Sequence, residues 1–153
     1  TLDYPFLKAT LRYLSERVGA ELRREGRRAR CITLKLRYAD FDTITRSHTL
    51  KGAINADQAI FDVGVALLGR ALSQRRQLVR LIGIGVSSLS GEERQLSLLD
   101  SFGEHGERLD RVIDCLRHRY GFTAIQRGQT LPLKETFPTE KGDYLLATPS
   151  LSR

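Results

Sequence analysis

The stretch RCITLKLRYADFDTITRSHTL, residues 30–50, decides the fold. Its first half alternates apolar with polar or basic side chains, a period of two that predicts a strand with one buried face. A tight turn at Asp40-Phe41-Asp42 leads to a second alternating run, residues 43–50, so the two runs predict an antiparallel hairpin. The first strand has Ile32, Leu34, Leu36 and Tyr38 on one face and Thr33, Lys35 and Arg37 on the other.

Two helical patterns flank this hairpin. Leucine and valine recur every three or four residues between Leu7 and Leu22, which predicts a helix over residues 5–25. A second helix is predicted over 55–74 with Asn55 as its N-cap, and a third strand over 78–89. Together these elements predict an α+β fold, a mostly antiparallel sheet of three to four strands with two helices on one face, plus a C-terminal helical extension.

Changes in pattern divide the chain into three parts. Residues 1–90 form the predicted domain, with residues 51–55 as a loop, and residues 91–103 form a linker that contains a short apolar peptide. Residues 104–153 predict a helix, a short strand at 122–125 and an extended tail. The apolar side of that helix comprises Leu109, Val112, Ile113 and Leu116.

Charge favours a polyanionic partner. The 153 residues have a net charge of +7, and only five of the 25 basic residues are lysine. Arginine binds phosphate through a planar fork, although a solubilising surface would have the same composition. The two cysteines and three histidines show no metal-ligand spacing, so we predict no metal site, and reduced thiols suit a cytoplasmic protein. No apolar run reaches the length of a membrane span, and no small-molecule ligand is predicted.

The face of the sheet that the helices leave uncovered is the candidate binding surface. Cations, hydroxyls and bare backbone on one surface suit phosphate oxygens, whereas an ordinary solvated sheet face is the alternative. Two glycines on one strand face indicate close approach by another backbone or a ligand, or else a bulge or tight packing against a helix. The candidate DNA-binding residues are Thr33, Lys35, Arg37, Thr45, Arg46, Ser47, Thr49, Arg80, Gly83 and Gly85. Because side chains alternate between the two faces of a strand, Arg46 is predicted to point to the opposite face. It can contribute to the binding surface only if it lies at the rim of the sheet.

Three segments in order resemble one protein family. Residues 30–50 resemble the little-finger domain of Y-family DNA polymerases of the DNA polymerase IV type, and VRLIGIGVSSL, residues 79–89, is similar to its last strand. QLSLLD, residues 95–100, stands where the family places its sliding-clamp peptide. The resemblance implies a four-stranded sheet, with its first strand before Thr1, whose open face binds double-stranded primer–template DNA. It also implies a parent that performs translesion synthesis in DNA repair.

The same resemblance assigns a second partner, the sliding clamp. The clamp-binding residues would be Gln95, Leu96, Ser97, Leu98 and Leu99, with the glutamine amide at the rim of an apolar cleft and the leucines inside it. Leu99 replaces the phenylalanine usual in the family, so weaker binding is expected. The alternative is that these leucines pack on their own domain.

No catalytic residue is predicted in this chain. Nucleotidyl transfer needs carboxylates that hold two divalent metals, and three acidic pairs are better explained as solvated or ion-paired. These pairs are Asp40/Asp42, Glu92/Glu93 and Asp110/Asp114. The chain therefore needs no cofactor, Mg²⁺ is expected in the parent's catalytic domain, and the chain by itself should be inactive.

Two alternatives remain open. The parent could be a catalytically inactive adaptor that recruits other polymerases to the clamp, which this sequence does not distinguish from an active polymerase. An RNA-binding sheet domain is less favoured, because such sheets stack bases on exposed aromatic side chains and Tyr38 is predicted to point inward.

Overall fold

The structure, a computed structural model, describes residues 1–91 and 101–144, without the side chains of residues 101–105. Its four helices are α1 (Tyr4–Arg24), α2 (Asp57–Gln74), α3 (Ser101–Tyr120) and α4 (Pro132–Thr136). Its strands are β1 (Arg27–Tyr38), β2 (Thr43–Ile54), β3 (Val79–Gly91) and the two-residue β4 (Thr139–Glu140) and β5 (Asp143–Tyr144). Short 3₁₀ turns occupy Phe122–Ala124 and Gly128–Thr130.

A three-stranded antiparallel sheet in the order β2-β1-β3 forms the centre of the fold. Helices α1 and α2 pack on one face, where Leu11, Leu34, Leu36 and Leu68 are almost completely buried. The predicted α+β class is therefore confirmed, and β1 has the predicted inward and outward sides. Burial of leucine-sized side chains contributes roughly 1.5–3 kcal/mol each, so this layer is a major source of the stability of the domain.

The outer edge of β3 forms backbone hydrogen bonds with the first residue of the chain. The amino group of Thr1 donates to the carbonyl of Val79 at 2.7 Å, and the Val79 N–H donates back to the Thr1 carbonyl at 2.9 Å. Such a reciprocal pair is the unit of an antiparallel ladder. The start of the chain thus lies in register beside β3.

Two predicted boundaries at the β2–α2 junction are wrong. Residues 51–54, predicted as loop, continue β2, because Ile54 pairs with Ala29 across a register shift. Helix α2 begins at Asp57, and its N-cap is Ala56 rather than Asn55. No cap side chain comes from the chain before α2, so the helix N-terminus takes its hydrogen-bond partner from elsewhere.

The segment after α3 docks on the first helix instead of forming an extended tail. Leu133 and Tyr144 are buried against Ala9 and Tyr13 of α1, which corrects the prediction for residues 126–144. Residues 122–124 form a 3₁₀ turn rather than the predicted strand. A docked aromatic cluster of this kind requires partners from the other end of the chain, which local periodicity does not reveal.

Helix α3 packs with its charged side inward. Asp110 and Arg117 are buried, whereas the predicted apolar side is largely in solvent, with Leu109 and Val112 more than half exposed. On α1, the charged residues Arg12 and Glu16 are also buried, and each is only 1% exposed. None of the described helices is long and apolar enough to cross a membrane.

Candidate nucleic-acid interface

The strand register assembles the candidate interface on the face opposite the helices. Residues directly opposite one another in adjacent antiparallel strands project to the same side, so the pairings define four rows of three residues. The rows, read as β2–β1–β3, are Thr49–Cys31–Ser87, Ser47–Thr33–Gly85, Thr45–Lys35–Gly83 and Thr43–Arg37–Leu81. None of these positions is acidic. The face therefore presents two cationic side chains, Lys35 and Arg37, together with several hydroxyl groups.

Hydrogen bonds order the side chains of this face. The Thr33 and Ser47 hydroxyls lie 2.9 Å apart, and Arg37 Nε donates to Thr43 Oγ1 at 2.9 Å. Cys31 occupies the row beyond them, where side-chain hydrogen bonds from Ser87 and then from Thr49 lower the pKa of its thiol. The cysteine was not predicted to belong to the site, although its parity with Thr33 was visible in the sequence.

Gly83 and Gly85 face open space. A Cβ added at either position would meet no atom within 4 Å, and the pairing with β1 continues without a shift through both. Tight packing against a helix and a bulge, the two structural explanations for these glycines, are therefore excluded. The open strip of backbone lies beside Thr33 and Lys35 in the same two rows.

The two remaining predicted arginines lie outside the four rows. Arg46 pairs with the buried Leu34, so it belongs to the helix-side face at the rim of edge strand β2, where its guanidinium donates to Gln74 of α2. Arg80 lies at the register shift beside Tyr38 and stacks over the exposed ring of Phe41. Both are exposed and border the candidate surface without being part of its rows.

The acidic pairs within the described residues are engaged in ion pairs. Asp40 and Asp42 both bind Arg75, and Asp110 and Asp114 both bind Arg23. Within residues 1–91 and 106–144, no three His, Cys, Asp or Glu side chains come together in a way that could hold a metal ion. The Glu92/Glu93 pair and the predicted clamp peptide, residues 95–99, lie outside the described residues.

Comparison with known proteins decides the family. A model described as the impB/mucB/samB family C-terminal domain matches residues 1–98, which include the whole sheet and both helices that cover it. The chain belongs to this family. The impB/mucB/samB C-terminal domain thus covers α1 to β3, and the resemblance to a Y-family little-finger domain of the DNA polymerase IV type is confirmed.

Relatives extend the match beyond the family domain. DNA polymerase IV of Dehalococcoides mccartyi strain 195 is 40% identical over 137 residues, 90% of this chain and 35% of that protein. DNA polymerase IV 1 of Mesorhizobium japonicum is 35% identical over 126 residues, 81% of this chain and 28% of that protein. A solved structure, the insertion ternary complex of Dbh DNA polymerase, overlaps 57% of this chain and 24% of its own, with 24% identity and a TM-score of 0.47. The chain thus spans about a third of the length of these curated relatives.

Proposed function

We propose that this impB/mucB/samB C-terminal domain is the DNA-binding module of a Y-family DNA-directed DNA polymerase that acts in translesion synthesis and DNA repair. Its open sheet face holds the primer–template duplex by the phosphate backbone. The parent's catalytic domain, with its Mg²⁺, would perform nucleotidyl transfer. The work of the parent on DNA and two free thiols, Cys31 and Cys115, suit a cytoplasmic location.

The observation that supports this proposal is the acid-free face with bare backbone beside its cations. Lys35 and Arg37 supply charge, hydroxyl groups supply donors to phosphate oxygens, and the open strip at Gly83 and Gly85 lets the duplex approach. Such contacts position the protein on a duplex and contain little sequence information. Affinity should therefore depend strongly on salt and weakly on base sequence.

The rim arginines extend the same surface. Arg46 and Arg80 flank the rows at opposite edges of the sheet, and long guanidinium side chains at a rim can reach phosphates that curve past the flat face. We propose them as secondary contacts. The central contacts are Thr33, Lys35, Arg37, Thr45, Ser47 and Thr49.

One alternative function loses support. RNA-binding sheets stack bases on exposed aromatic side chains, but the four rows contain no aromatic residue. Tyr38 is fully buried, with its ring covered by the guanidinium of Arg75. The adaptor alternative, a module from a catalytically inactive relative, would use the same surface and stays open.

A second binding function is proposed for residues 95–99. They would bind the apolar cleft of a sliding clamp, with Leu96, Leu98 and Leu99 as anchors and Gln95 and Ser97 at the rim. The proposal depends on the position of this peptide at the C-terminal end of the family match, residues 1–98, and on its alternation of polar and apolar residues. Binding by a few apolar anchors is the usual energetic pattern of such peptides.

The two cysteines provide the test of DNA binding on this face. Cys31 lies in the rows of the interface, whereas Cys115 is exposed on α3, far along the chain from the sheet. The full chain is treated with a maleimide at low salt, alone, with primer–template duplex and with single-stranded DNA, and labelling of each thiol is followed by mass spectrometry. We expect the duplex to slow labelling of Cys31 severalfold while Cys115 reacts at an unchanged rate.

Two outcomes would contradict the proposal. Equal labelling of Cys31 with and without saturating duplex would show that DNA does not cover the face. Stronger protection by the single strand than by the duplex would revive the RNA-type alternative.

A further inference from the structure

Helix α3 is attached to the rest of the protein by charge. Its inward side chains include Glu107, Asp110, Asp114 and Arg117, whereas its exposed side includes Leu109, Val112, Leu116 and Tyr120. A surface helix ordinarily buries its apolar side, since apolar burial is the main favourable term in packing. The described part of α3 inverts this arrangement, and its recorded contacts with α1, β1 and α2 are ion pairs and hydrogen bonds.

The ion pairs form two linked groups. One has more carboxylates than guanidiniums, and the other has more guanidiniums than carboxylates. At one end, the buried guanidinium of Arg23 contacts three carboxylates: Asp57 at 2.8 Å, Asp110 at 3.4 Å and Asp114 at 2.6 Å. At the other end, the carboxylate of Glu16 contacts three guanidiniums, those of Arg12, Arg117 and Arg127. Arg127 joins the groups through Asp110 at 3.4 Å.

Asp57 is the most constrained of the three carboxylates. It is 1% exposed, and its backbone N–H donates to Asp110 Oδ2 at 3.1 Å, so a side chain of α3 caps the N-terminus of α2. Burial raises the pKa of Asp57 to about 7; Arg23 opposes the rise, while Asp110 and Glu16 add to it. Removal of Asp57 from water is the main cause, and the neighbouring carboxylate of Asp110 adds to it, because a proton on one of two adjacent carboxylates relieves their repulsion.

We propose that α3 is held on the helix layer by a proton-coupled latch, in which docking of α3 places one proton in the Asp57, Asp110 and Asp114 group beside Arg23. When α3 separates from the helix layer, Asp110 and Asp114 leave with it and water reaches Asp57. The remaining Asp57–Arg23 pair then needs no proton. Separation would also remove the α3 partners of Glu16 and Arg23 on α1.

The direction of the pH effect follows from this linkage. An acid whose pKa is raised in the docked state binds a proton that the undocked state lacks, so docking strengthens as pH falls between about 7 and about 4. With a docked pKa near 7, the docking constant should rise about tenfold from pH 8 to pH 6. The effect is independent of DNA and of the proposed polymerase function.

Amide hydrogen exchange of the full chain, without DNA, tests the latch. Protection factors for the amides of residues 106–120 are measured at pH 6 and pH 8 against intrinsic rates at each pH, with the amides of β1 residues 32–36 as the internal control. We expect protection of α3 to be about tenfold higher at pH 6, with little change in β1. His118, an exposed residue in the last turn of α3, is a second ionisable side chain on this helix, so any contribution from it must be separated.

The variant Asp57→Asn makes this separation, because asparagine resembles the protonated acid in shape and charge. In Asp57→Asn, protection of α3 should be high and equal at both pH values, whereas a contribution from His118 would persist. Should Asp57→Asn fold poorly, Asp114→Asn removes one carboxylate from the same group and should likewise abolish most of the pH dependence. Protection of α3 that is equal at pH 6 and pH 8 in the native chain, or a tenfold change that survives in the folded variant, would overturn the latch.

Discussion

The double substitution Gly83→Ala/Gly85→Ala separates folding from binding at the candidate interface. Each new Cβ would point into open space with no atom within 4 Å, so neither creates a clash in the isolated protein. Glycine within a strand costs roughly 0.5–1 kcal/mol relative to alanine through its larger entropy in the unfolded chain. The pair should therefore raise the free energy of unfolding by about 1–2 kcal/mol, a rise in Tm of roughly 2–8 °C for a chain of this size.

Binding should change in the opposite direction. Two methyl groups in the rows of Thr33 and Lys35 would keep a phosphate backbone away from these donors. The loss of one hydrogen bond to a charged group costs about 1.5–3 kcal/mol, so the dissociation constant for primer–template duplex should rise by roughly ten- to hundredfold. The assay is fluorescence anisotropy with labelled duplex at fixed salt, beside a thermal melt of the same preparation.

Gly69→Ala supplies the matched control. Gly69 is exposed on α2, and a Cβ there would also meet nothing within 4 Å. This change should raise stability by about 1 kcal/mol and leave DNA affinity unaltered, because the residue is on the helix side of the domain. If the Gly83→Ala/Gly85→Ala protein binds duplex as tightly as Gly69→Ala, the backbone does not approach the strip and the reasoning fails.

Two further changes address charge and the clamp peptide. Lys35→Gln should weaken duplex binding for every sequence and reduce the slope of log affinity against log salt by about 0.9. The control Lys134→Gln, on α4, should leave this slope unchanged. Equal slopes for both variants would show that Lys35 does not contact the DNA. In a pull-down with sliding clamp, Leu98→Ala/Leu99→Ala should abolish retention while Leu109→Ala, at an exposed position of α3, retains it; equal retention of the two variants would refute the clamp peptide.

Alternation along the strands predicted which of the candidate residues share the open face of the sheet. Alternation in residues 31–38 placed Thr33, Lys35 and Arg37 on one face before any partner strand was known, and the register then aligned them with the predicted hydroxyl residues and glycines. Parity also separated Arg46 from this face. Alternation could not predict that the space above Gly83 and Gly85 is open, because this depends on where the other helices and strands pack.

The packing of the C-terminal segment could not be predicted from its local sequence pattern. The pattern of α3 predicted which residues form its apolar side. Asp110 and Asp114 nevertheless face inward, because Arg23, 87 and 91 residues earlier, supplies the buried countercharge. A helical period identifies which residues share a side but not which side meets a neighbour. That choice is made by partners distant in the chain.

The sequence by itself predicted the order of helices and strands in residues 1–91, apart from the β2–α2 junction, the composition of the two sheet faces and the family, because these follow from local periodicity and contiguous motifs. Only the tertiary structure decided that Asp110 of α3 caps α2, that four arginines and four carboxylates form one linked and mostly buried network, and that Gly83 and Gly85 face open space. The physical reason is the separation along the chain over which each effect acts. Strand and helix periods are fixed by residues two to four positions apart, whereas desolvation and ion pairing depend on groups that only the folded chain brings together.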